Sequence, residues 1–302
     1  MDYILTTENL TKTYGTKNAA DAVNIHVKKG EVYGLIGRNG AGKTTILKMI
    51  GGLSKPTSGS FTFLGKTGKE LGSVRSKIGV LIESPGLYLK MTAFQNVKLK
   101  CLSMGIKDNG YVNSLLEQVG LHNVENKPVQ NFSLGMKQRL GIAIALVGDP
   151  EFIILDEPIN GLDPQGIVEM REIIGNMSRV KGITVIVSSH ILAELSKVAD
   201  SFGIIHEGKL LDEFTAEELN ERCSKFTRIL VSDKEKTAET LRKMNIDKFE
   251  IKEDHIKVFS EIEDTSEVIK TLVHNDVKVY ELSVVQSSLE EYYLANTGGS
   301  EA

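Results

Sequence analysis

The chain has 302 residues, of which 25% are charged, and a formal net charge of -4. This length suits one large globular domain and a smaller one, and the negative charge argues against non-specific binding to nucleic acid. Two cysteines are too few for a disulfide framework, the N-terminus lacks a signal-peptide pattern, and no apolar run approaches the ~20 residues that cross a bilayer, so we expect a cytoplasmic protein with free thiols.

Strands are predicted near the N-terminus. Partly alternating apolar and polar residues favour strands over Leu5–Leu10 and Ala22–Val27, and the fully apolar run Val32–Ile36 has the length of a buried strand. The composition of Thr45–Ile50 favours a helix after it. The residues between these two elements therefore form a turn from a buried strand into a helix.

This turn, Gly37–Thr44, fits the nucleotide-binding pattern G-x-x-x-x-G-K-[ST]. Its glycines let backbone N–H groups approach an anion, and the helix N-terminus adds positive potential at the same place. Lys43 is expected to reach the terminal phosphates and the Thr44 hydroxyl to bind magnesium. A glycine-rich turn with a chance lysine is the alternative, which the matching strand and helix disfavour. The predicted nucleotide-binding residues of the loop are Gly37, Asn39, Gly40, Ala41, Gly42, Lys43, Thr44 and Thr45.

The central part of the chain alternates between strand and helix patterns. Apolar spacing indicates helix from Thr92 to about Leu121, and a second helix is predicted after Ser133. Two of the later strands are fully apolar and are separated by another helical stretch, which is typical of a parallel sheet buried on both faces. The predicted strands of this part are Ser60–Leu64, Ile78–Ile82, Phe152–Leu155 and Ile183–Val187.

Two carboxylates follow the apolar run Phe152–Leu155. In parallel sheets, ligands bind at the carboxyl ends of strands, so Asp156 is expected to hold magnesium, through water. Glu157 is expected to act as the general base that polarises an attacking water. An acidic strand end beside the turn residue Pro158 is the alternative, and the phosphate loop elsewhere in the chain disfavours it.

The helix start at Ser133 and the strand end at His190 can each be interpreted as functional or as structural. Ser133 and Gly135 open a helix, where a hydroxyl and a glycine can bind phosphate, but Ser133 is equally suited to a plain N-cap. His190 ends an apolar run and could hydrogen-bond a terminal phosphate oxygen, or could cap the strand. Its spacing after Asp156 and Glu157 favours the functional interpretation.

A shift in composition after Gly208 indicates a second unit. Thr215–Glu218 has the capping-box pattern of a short helix. The elements after it follow the order β-α-β-β-α-β of a ferredoxin-like split unit, and a last helix is predicted over Leu289–Leu294. These elements are strand Thr227–Val231, helix Glu235–Met244, strands Phe249–Lys252 and His255–Phe259, helix Ser266–His274 and strand Lys278–Val284.

The motifs together resemble those of the ATP-binding subunits of ABC transporters, over roughly residues 1–212. Gly37–Thr44 is similar to the family's Walker A loop, and Phe152–Glu157 is similar to its Walker B strand with the catalytic glutamate. Ser133–Gln138 is similar to the signature motif, whose usual form is L-S-G-G-Q. Here that motif is Phe-Ser-Leu-Gly-Met, which departs from the family at its first, third and fifth positions.

Three single residues extend the resemblance. Asp163 lies in a Gly-Leu-Asp sequence that is similar to the D-loop, and His190 lies where the family has its switch histidine. Tyr14 lies where the family places an aromatic side chain that stacks on adenine. All six motifs follow the family's order along the chain.

The resemblance implies a fold and a mechanism. The expected fold class is α/β: a P-loop NTPase (RecA-like) core with an antiparallel β subdomain and an α-helical subdomain, plus a small C-terminal α+β (ferredoxin-like) unit. The ATP-binding domain is expected over residues 1–214, with its helical part at about 86–150, and the accessory domain over 215–302. ATP and Mg²⁺ are the implied substrate and cofactor, with Lys43, Glu157 and His190 as catalytic residues.

The resemblance also implies partners. Two such chains, identical or related, would pack head to tail, so that Ser133 and Gly135 of one chain complete the nucleotide site of the other. Closure on ATP would pull on separately encoded membrane subunits, which places the chain on the inner face of the membrane. No nucleic-acid partner is expected.

Glu83 is an informative departure from the family pattern. Most members have glutamine after the strand that corresponds to Ile78–Ile82, where it reaches the magnesium and faces the membrane subunit. Glutamate there, and the C-terminal ending Ser288–Tyr293, resemble the bacitracin-export and lantibiotic-immunity subgroup. Glu83 is therefore a candidate magnesium ligand, because a carboxylate binds the metal more strongly than an amide does. The alternative is drift from glutamine without a bearing on the substrate.

Three other functions compete with this hypothesis. An ABC transporter subunit for another substrate would carry the same motifs. A soluble ABC-type ATPase acting on ribosomes or DNA usually has two ATPase units or a long coiled-coil insertion, whereas this chain has one phosphate loop and no heptad array. A non-catalytic sensor module would draw on the C-terminal unit, and the intact Glu157 and His190 argue against it.

Overall fold

The computed structural model of the chain describes residues 3–122, 124, 127–222, 225–260, 262, 264–286, 289–290 and 292–293. The chain divides into two compact units, residues 1–216 and 217–302. The first unit contains β1 (Tyr3–Tyr14), β2 (Lys17–Val23), β3 (His26–Lys28), β4 (Val32–Ile36), α1 (Lys43–Ile50), β5 (Ser58–Phe63), β6 (Lys66–Thr67), β7 (Ile78–Leu81), α2 (Ala93–Ser103), α3 (Asn109–Gln118), α4 (Leu134–Ala145), β8 (Phe152–Asp156), α5 (Pro164–Arg179), β9 (Thr184–Ser189), α6 (Leu192–Leu195), β10 (Ser201–His206) and β11 (Lys209–Thr215).

The central sheet of the first unit has six strands in the order β11-β10-β4-β9-β8-β7. The five strands from β10 to β7 are parallel, and β11 is antiparallel to β10. All residues of β4, β8 and β9 are buried, as expected for strands covered on both faces. Because these strands are parallel, their carboxyl ends meet at one edge of the sheet, and the phosphate loop follows β4 there.

A second, antiparallel sheet covers the helix that follows the phosphate loop. Its order is β2-β1-β5-β6, with β3 also paired to β1. The apolar face of α1 packs between the two sheets, with Ile46 and Leu47 fully buried, and the rings of Phe63 and Phe152 lie 5.6 Å apart. This packing anchors α1 and holds the phosphate loop against the central sheet.

A helical part, α2 to α4, interrupts the chain between β7 and β8. Thr92 and Gln95 form a reciprocal capping box at the start of α2, and the Asp108 carboxylate caps α3. The helical region that the sequence predicts over 92–121 is thus two helices. The break follows from Gly105, whose φ of 79° belongs to the left-handed region that ends helices.

One predicted strand is interrupted in the structure. Ala22–Val27 is not continuous, because β2 ends at Val23 and β3 begins at His26. The Thr7 hydroxyl donates to the Val23 carbonyl at 2.8 Å and accepts from the Ile25 N–H at 2.7 Å, and Ala22 has a left-handed φ of 48°. A side chain of β1 therefore takes the hydrogen bonds that would have continued the strand.

The second unit contains α7 (Ala216–Arg222), which starts at the boundary, and then β12 (Lys225–Val231), α8 (Lys234–Lys243), β13 (Phe249–Ile251), β14 (Ile256–Val258), α9 (Thr265–His274) and β15 (Val279–Gln286). The sheet order is β13-β14-β12-β15, with every pair antiparallel. Its core includes Ile229, Leu241, Ile256 and Leu272, which are all fully buried. The predicted order β-α-β-β-α-β is present.

Some predictions fall beyond the described residues. The helix predicted over Leu289–Leu294 includes positions 291 and 294, which lie outside them. Cys223 also lies outside them, whereas Cys101 is a free, buried thiol whose pKa is raised by desolvation. The domain limits 1–214 and 215–302 remain a prediction.

Candidate functional site

The phosphate loop has a geometry that two of its glycines make possible. A Cβ atom on Gly42 would lie 2.2 Å from the carbonyl oxygen of Ala19, and φ of Gly42 is 110°. A Cβ atom on Gly37 would lie 2.5 Å from the carbonyl oxygen of Ile205. Any side chain at these two positions would push the loop away from the neighbouring backbone.

The Lys43 ammonium group lies at the centre of the site. It donates to the carbonyl oxygen of Gly37 at 2.5 Å, and it lies 3.1 Å from a carboxylate oxygen of Glu157. The side chain is only 6% exposed, so its charge acts with little solvent screening. The loop thus presents a buried cation where the pattern predicts the terminal phosphates.

The Asp156 carboxylate accepts two hydrogen bonds from neighbouring hydroxyl groups. Thr44 Oγ1 donates to Asp156 Oδ2 at 2.8 Å, and Ser188 Oγ donates to Asp156 Oδ1 at 2.6 Å. Asp156 and Ser188 are register partners in the parallel pair of β8 and β9. Ser188 was not among the predicted site residues, although a hydroxyl two residues before His190, at the end of a buried strand, was an available signal.

Glu157 leaves the strand in a left-handed conformation, with φ of 49°. Its N–H donates to Ser188 Oγ at 3.0 Å, and its Oε2 lies 2.8 Å from His190 Nδ1. A non-glycine residue in this region is strained and is a common feature of functional sites. The carboxylate can therefore accept a proton while a lysine and a histidine hold it in place.

The donor set at Thr44 and Asp156 suits a hard cation. Among the described residues there is no group of three or more histidine, cysteine, aspartate or glutamate side chains that could hold a metal ion. Mg²⁺ does not require one, because it is usually bound by one or two protein oxygens together with water and phosphate oxygens. A threonine hydroxyl in contact with a buried aspartate fits that requirement.

Ser133 and Gly135 lie at the start of α4. Ser133 Oγ accepts from the Met136 N–H at 3.2 Å, which is the N-cap interaction, and the Ser133 residue is exposed. The side chain of Leu134 reaches Gly161, where a Cβ atom would lie 3.1 Å from Leu134 Cδ2. Within the described part of the chain, Ser133 makes no hydrogen bond or ion pair with the Lys43 cluster, by which we mean Lys43 and the side chains of Thr44, Asp156, Glu157, Ser188 and His190 described above. The exposed Asp163 caps α5 through the Gly166 N–H.

Tyr14 ends β1 with an exposed ring, and Lys12 Nζ lies 5.2 Å from the ring centroid. Beside the loop, a cavity of about 650 Å³ is lined by Asn39, Gly40 and Ala41, by residues 17–19 at the start of β2, and by residues 206–208. Thr45 is half-buried in the first turn of α1. These residues frame open space next to the phosphate loop.

Glu83 contacts Lys48, which was not among the predicted site residues. Its Oε1 lies 2.5 Å from Lys48 Nζ, and φ of Glu83 is 61°. The hydrogen bond to Glu83 raises the pKa of Lys48, and nearby Asp156 also favours the charged form. Lys48 follows Thr44 by four residues on α1, so it lies on the same helix face as the Thr44 hydroxyl. No local sequence signal indicated this pairing.

Comparisons with known proteins support an ATP-binding site. The family "ABC transporter" matches residues 20–160. A bacitracin transport ATP-binding protein, BcrA of Bacillus licheniformis, is 42% identical over 99% of both chains. A lantibiotic transport ATP-binding protein, SrtF of Streptococcus pyogenes, is 47% identical over 70% of this chain and 90% of its own.

Solved structures similar to this chain are also ATP-binding cassettes or parts of ABC transporters. CbiO1 from Clostridium perfringens, part of an ABC transporter complex, has a TM-score of 0.66 at 31% identity and covers 72% of this chain and 91% of its own. The cassette MJ0796, solved as a dimer in a post-hydrolysis state with ADP and Pi, has a TM-score of 0.64 at 26% identity and covers 70% of this chain and 98% of its own.

Proposed function

The chain belongs to the family of ABC transporter ATP-binding proteins, and from this premise we propose that it drives export of, or immunity to, a peptide antibiotic of the bacitracin or lantibiotic type through separate membrane subunits. The predicted family, the P-loop fold class and the ATPase activity are confirmed. One observation carries the proposed substrate. BcrA matches 99% of this chain, and its match therefore extends through residues 217–302, beyond the 20–160 segment that the family profile recognises.

The hydrolytic step follows from the positions of Lys43, Glu157 and His190. Lys43 would bind the γ-phosphate oxygens of ATP, and their arrival would compete with its 3.1 Å contact to Glu157. The freed carboxylate would take a proton from a water whose oxygen attacks the γ-phosphorus, while the bond to the ADP oxygen breaks. His190 would hold the carboxylate through its 2.8 Å contact and hydrogen-bond the phosphate.

Magnesium would be held by Thr44 Oγ1 and, through water, by Asp156. Bound there with the nucleotide, it would neutralise charge on the phosphate oxygens. Ser188 helps to orient the Asp156 carboxylate. Its hydroxyl donates to Oδ1, whereas Thr44 donates to Oδ2. Glu83 would reach the metal or its water shell only after leaving Lys48.

The complete site would need two chains. Ser133 is exposed and separate from the Lys43 cluster, so it is free to meet the phosphates of a second chain's nucleotide. The relative MJ0796 has been solved as a dimer with ADP and Pi. A head-to-tail pair, identical or related, would then hold two composite sites.

A groove beside β7 is the proposed contact with the membrane subunit. It has a volume of about 370 Å³, its apolar floor includes Val80 and Ile144, and the cationic Arg75 and Lys100 line it. A short helix with apolar side chains and an acidic group would suit this surface. In the part of the chain that the structure describes, no helix is long and apolar enough to cross a membrane. Because the chain belongs to the family of ABC transporter ATP-binding proteins, we propose that it lies peripherally on the inner face of the membrane.

The proposed substrate is tested by antibiotic resistance in cells. We expect deletion of the gene to lower the inhibitory concentration of bacitracin or of a lantibiotic severalfold, with restoration by the wild-type gene but not by Glu157→Gln. A non-peptide antibiotic serves as the control compound. Unchanged resistance to both peptides would contradict the proposed substrate, and a ribosome- or DNA-bound ATPase would be indicated by co-purification with those particles.

Substitutions of Glu83 are expected to change magnesium binding more than nucleotide binding. We predict that Glu83→Gln lowers the apparent magnesium affinity, because one negative charge near the metal is lost, while ATP binding without metal stays nearly unchanged. Glu83→Ala should lower it further, because the ligand oxygen is lost as well. Magnesium titrations of ATPase activity measure both changes, and peptide resistance in cells should fall more than the ATPase of the isolated chain.

Glu70→Gln is the matched control for this prediction. Glu70 is an exposed carboxylate that also pairs with a lysine, Lys66, at 3.7 Å, and no proposed function involves it. Superimposable magnesium titrations for wild type, Glu83→Gln and Glu83→Ala would show that Glu83 takes no part in metal binding.

A further inference from the structure

An ion pair joins the helix after the D-loop to the segment after His190. Arg171, on α5, lies with its Nη1 2.8 Å from Glu194 Oε2, on α6. The two side chains are 25% and 20% exposed, so the contact is mostly shielded from water. Lys197 Nζ lies 2.6 Å from the other oxygen, Glu194 Oε1. The hydrogen bond from Lys197, with a further contribution from Arg171, lowers the pKa of the Glu194 carboxyl.

The segment that carries His190 has little support of its own. His190 lies between the end of β9 and α6, which has only four residues, too few to be stable as an isolated helix. Its N-cap residue, Ile191, has no capping side chain, and the Ser189 hydroxyl accepts from the Ile191 N–H at 2.9 Å. Its packed side chains are Leu192 and Leu195, and Leu195 lies so close to Gly34 that a Cβ atom there would be 2.8 Å away. Glu194 connects this turn to α5 through its ion pair with Arg171.

α5 in turn starts at the D-loop. Asp163 caps it, and Arg171 lies about two turns further along the same helix. The ion pair therefore connects the D-loop helix with the turn that directly follows His190. His190 Nδ1 contacts Glu157 Oε2 at 2.8 Å, and this contact depends on the placement of that turn.

We propose that Arg171 and Glu194 are positioning residues that hold His190 against Glu157. This inference rests on the proposed hydrolytic role of His190. The pair touches neither nucleotide nor water in the reaction, and it acts by fixing the short α6. Small displacements of a reacting group are costly: about 1 Å can lower a rate by about 100-fold.

The first test separates turnover from binding. Arg171→Met should lower kcat about tenfold, within the range for a misplaced catalytic group, and leave the Kd for ATP nearly unchanged. Arg171→Lys, which keeps the charge, should recover part of the loss. Glu169→Gln is the matched control, because Glu169 is on the same helix and pairs with Arg139 at 3.4 Å, away from His190. Wild-type kcat in Arg171→Met would overturn the proposal.

The second test asks whether the pair acts through His190. In single-turnover hydrolysis, Arg171→Met should cause no further loss when added to His190→Ala. Losses that multiply in the double variant would overturn the proposal. If Arg171→Met does not fold, the exchange Arg171→Glu with Glu194→Arg tests the same contact with its charges reversed. It is made together with Lys197→Ala, because Lys197 would otherwise repel the new arginine, and it should retain turnover.

A third readout does not depend on activity. The nuclear magnetic resonance signal of the His190 ring, identified as the one missing in His190→Ala, should shift in Arg171→Met and stay in place in Glu169→Gln. An unshifted His190 signal would overturn the proposal. If His190→Ala kept wild-type turnover, the proposed hydrolytic role of His190 would fail instead, while the ring signal would still report on the positioning.

Discussion

Replacing Glu157 with glutamine is expected to remove most ATP turnover while ATP binding is retained. The amide cannot accept a proton from the attacking water, and a lost general base costs about 100- to 10,000-fold. The amide keeps the size of the carboxylate. Its carbonyl oxygen can face Lys43, and its NH2 group can donate to the neutral His190 ring, so the surrounding site should stay in place. Steady-state ATPase assays and equilibrium binding of ATP measure the two effects, and the variant should accumulate as an ATP-bound dimer.

Glu151→Gln is the control for this substitution. Glu151 directly precedes β8, at the opposite end of the same strand, and pairs with Lys29 at 3.3 Å. Its loss should leave turnover unchanged. ATPase activity of Glu157→Gln close to that of wild type would refute the assignment of Glu157 as the base.

Mixing two inactive variants is expected to restore activity if the sites are shared between chains. Lys43→Ala should weaken nucleotide binding, because the buried charge that faces the phosphates is lost. Ser133→Arg should block the phosphate contact offered to the other chain. In a mixed dimer, the phosphate loop of the Ser133→Arg chain meets the intact Ser133 of the Lys43→Ala chain. About a quarter of wild-type turnover should return, because half of the dimers are mixed and each has one intact site.

The pair Lys43→Ala and Glu157→Gln is the control mixture. Lys43 and Glu157 belong to the same half-site, 3.1 Å apart in one chain, so each site of that mixed dimer lacks one of them. No recovery is expected. Loss of the Ser133 N-cap costs about 1 kcal/mol, so thermal unfolding should first establish that Ser133→Arg is folded. A site built within one chain would be indicated if tagged, purified Lys43→Ala/Ser133→Arg heterodimers stayed inactive.

In the second unit, local sequence patterns were enough to predict the order of the helices and strands. Its predicted order of elements is present, and α8 and α9 begin within one residue of the predicted starts. The caps explain this agreement, because Asp233 and Asp264 accept hydrogen bonds from the first turns. Local sequence sets helix starts through such caps. The function of this unit has no comparable local signal and remains open.

The sequence by itself determined the parts of the site that neighbouring residues build. Gly37–Thr44 needs only its own backbone, a strand before it and a helix after it, and the carboxylates of Asp156 and Glu157 follow their strand directly. In each case the chemistry depends on residues a few positions apart, where backbone geometry fixes the spacing. The motifs, their order and the family followed from such local patterns.

Only the tertiary structure decided which of these parts meet. The contact between Asp156 and Ser188 depends on the register of β8 and β9, and a shift of one residue would turn the hydroxyl to the other face. The pairs Lys48–Glu83 and Arg171–Glu194 join separate elements, and no local pattern in the sequence links the two members of either pair. Contacts between segments distant in the chain follow from packing, which a linear pattern does not specify.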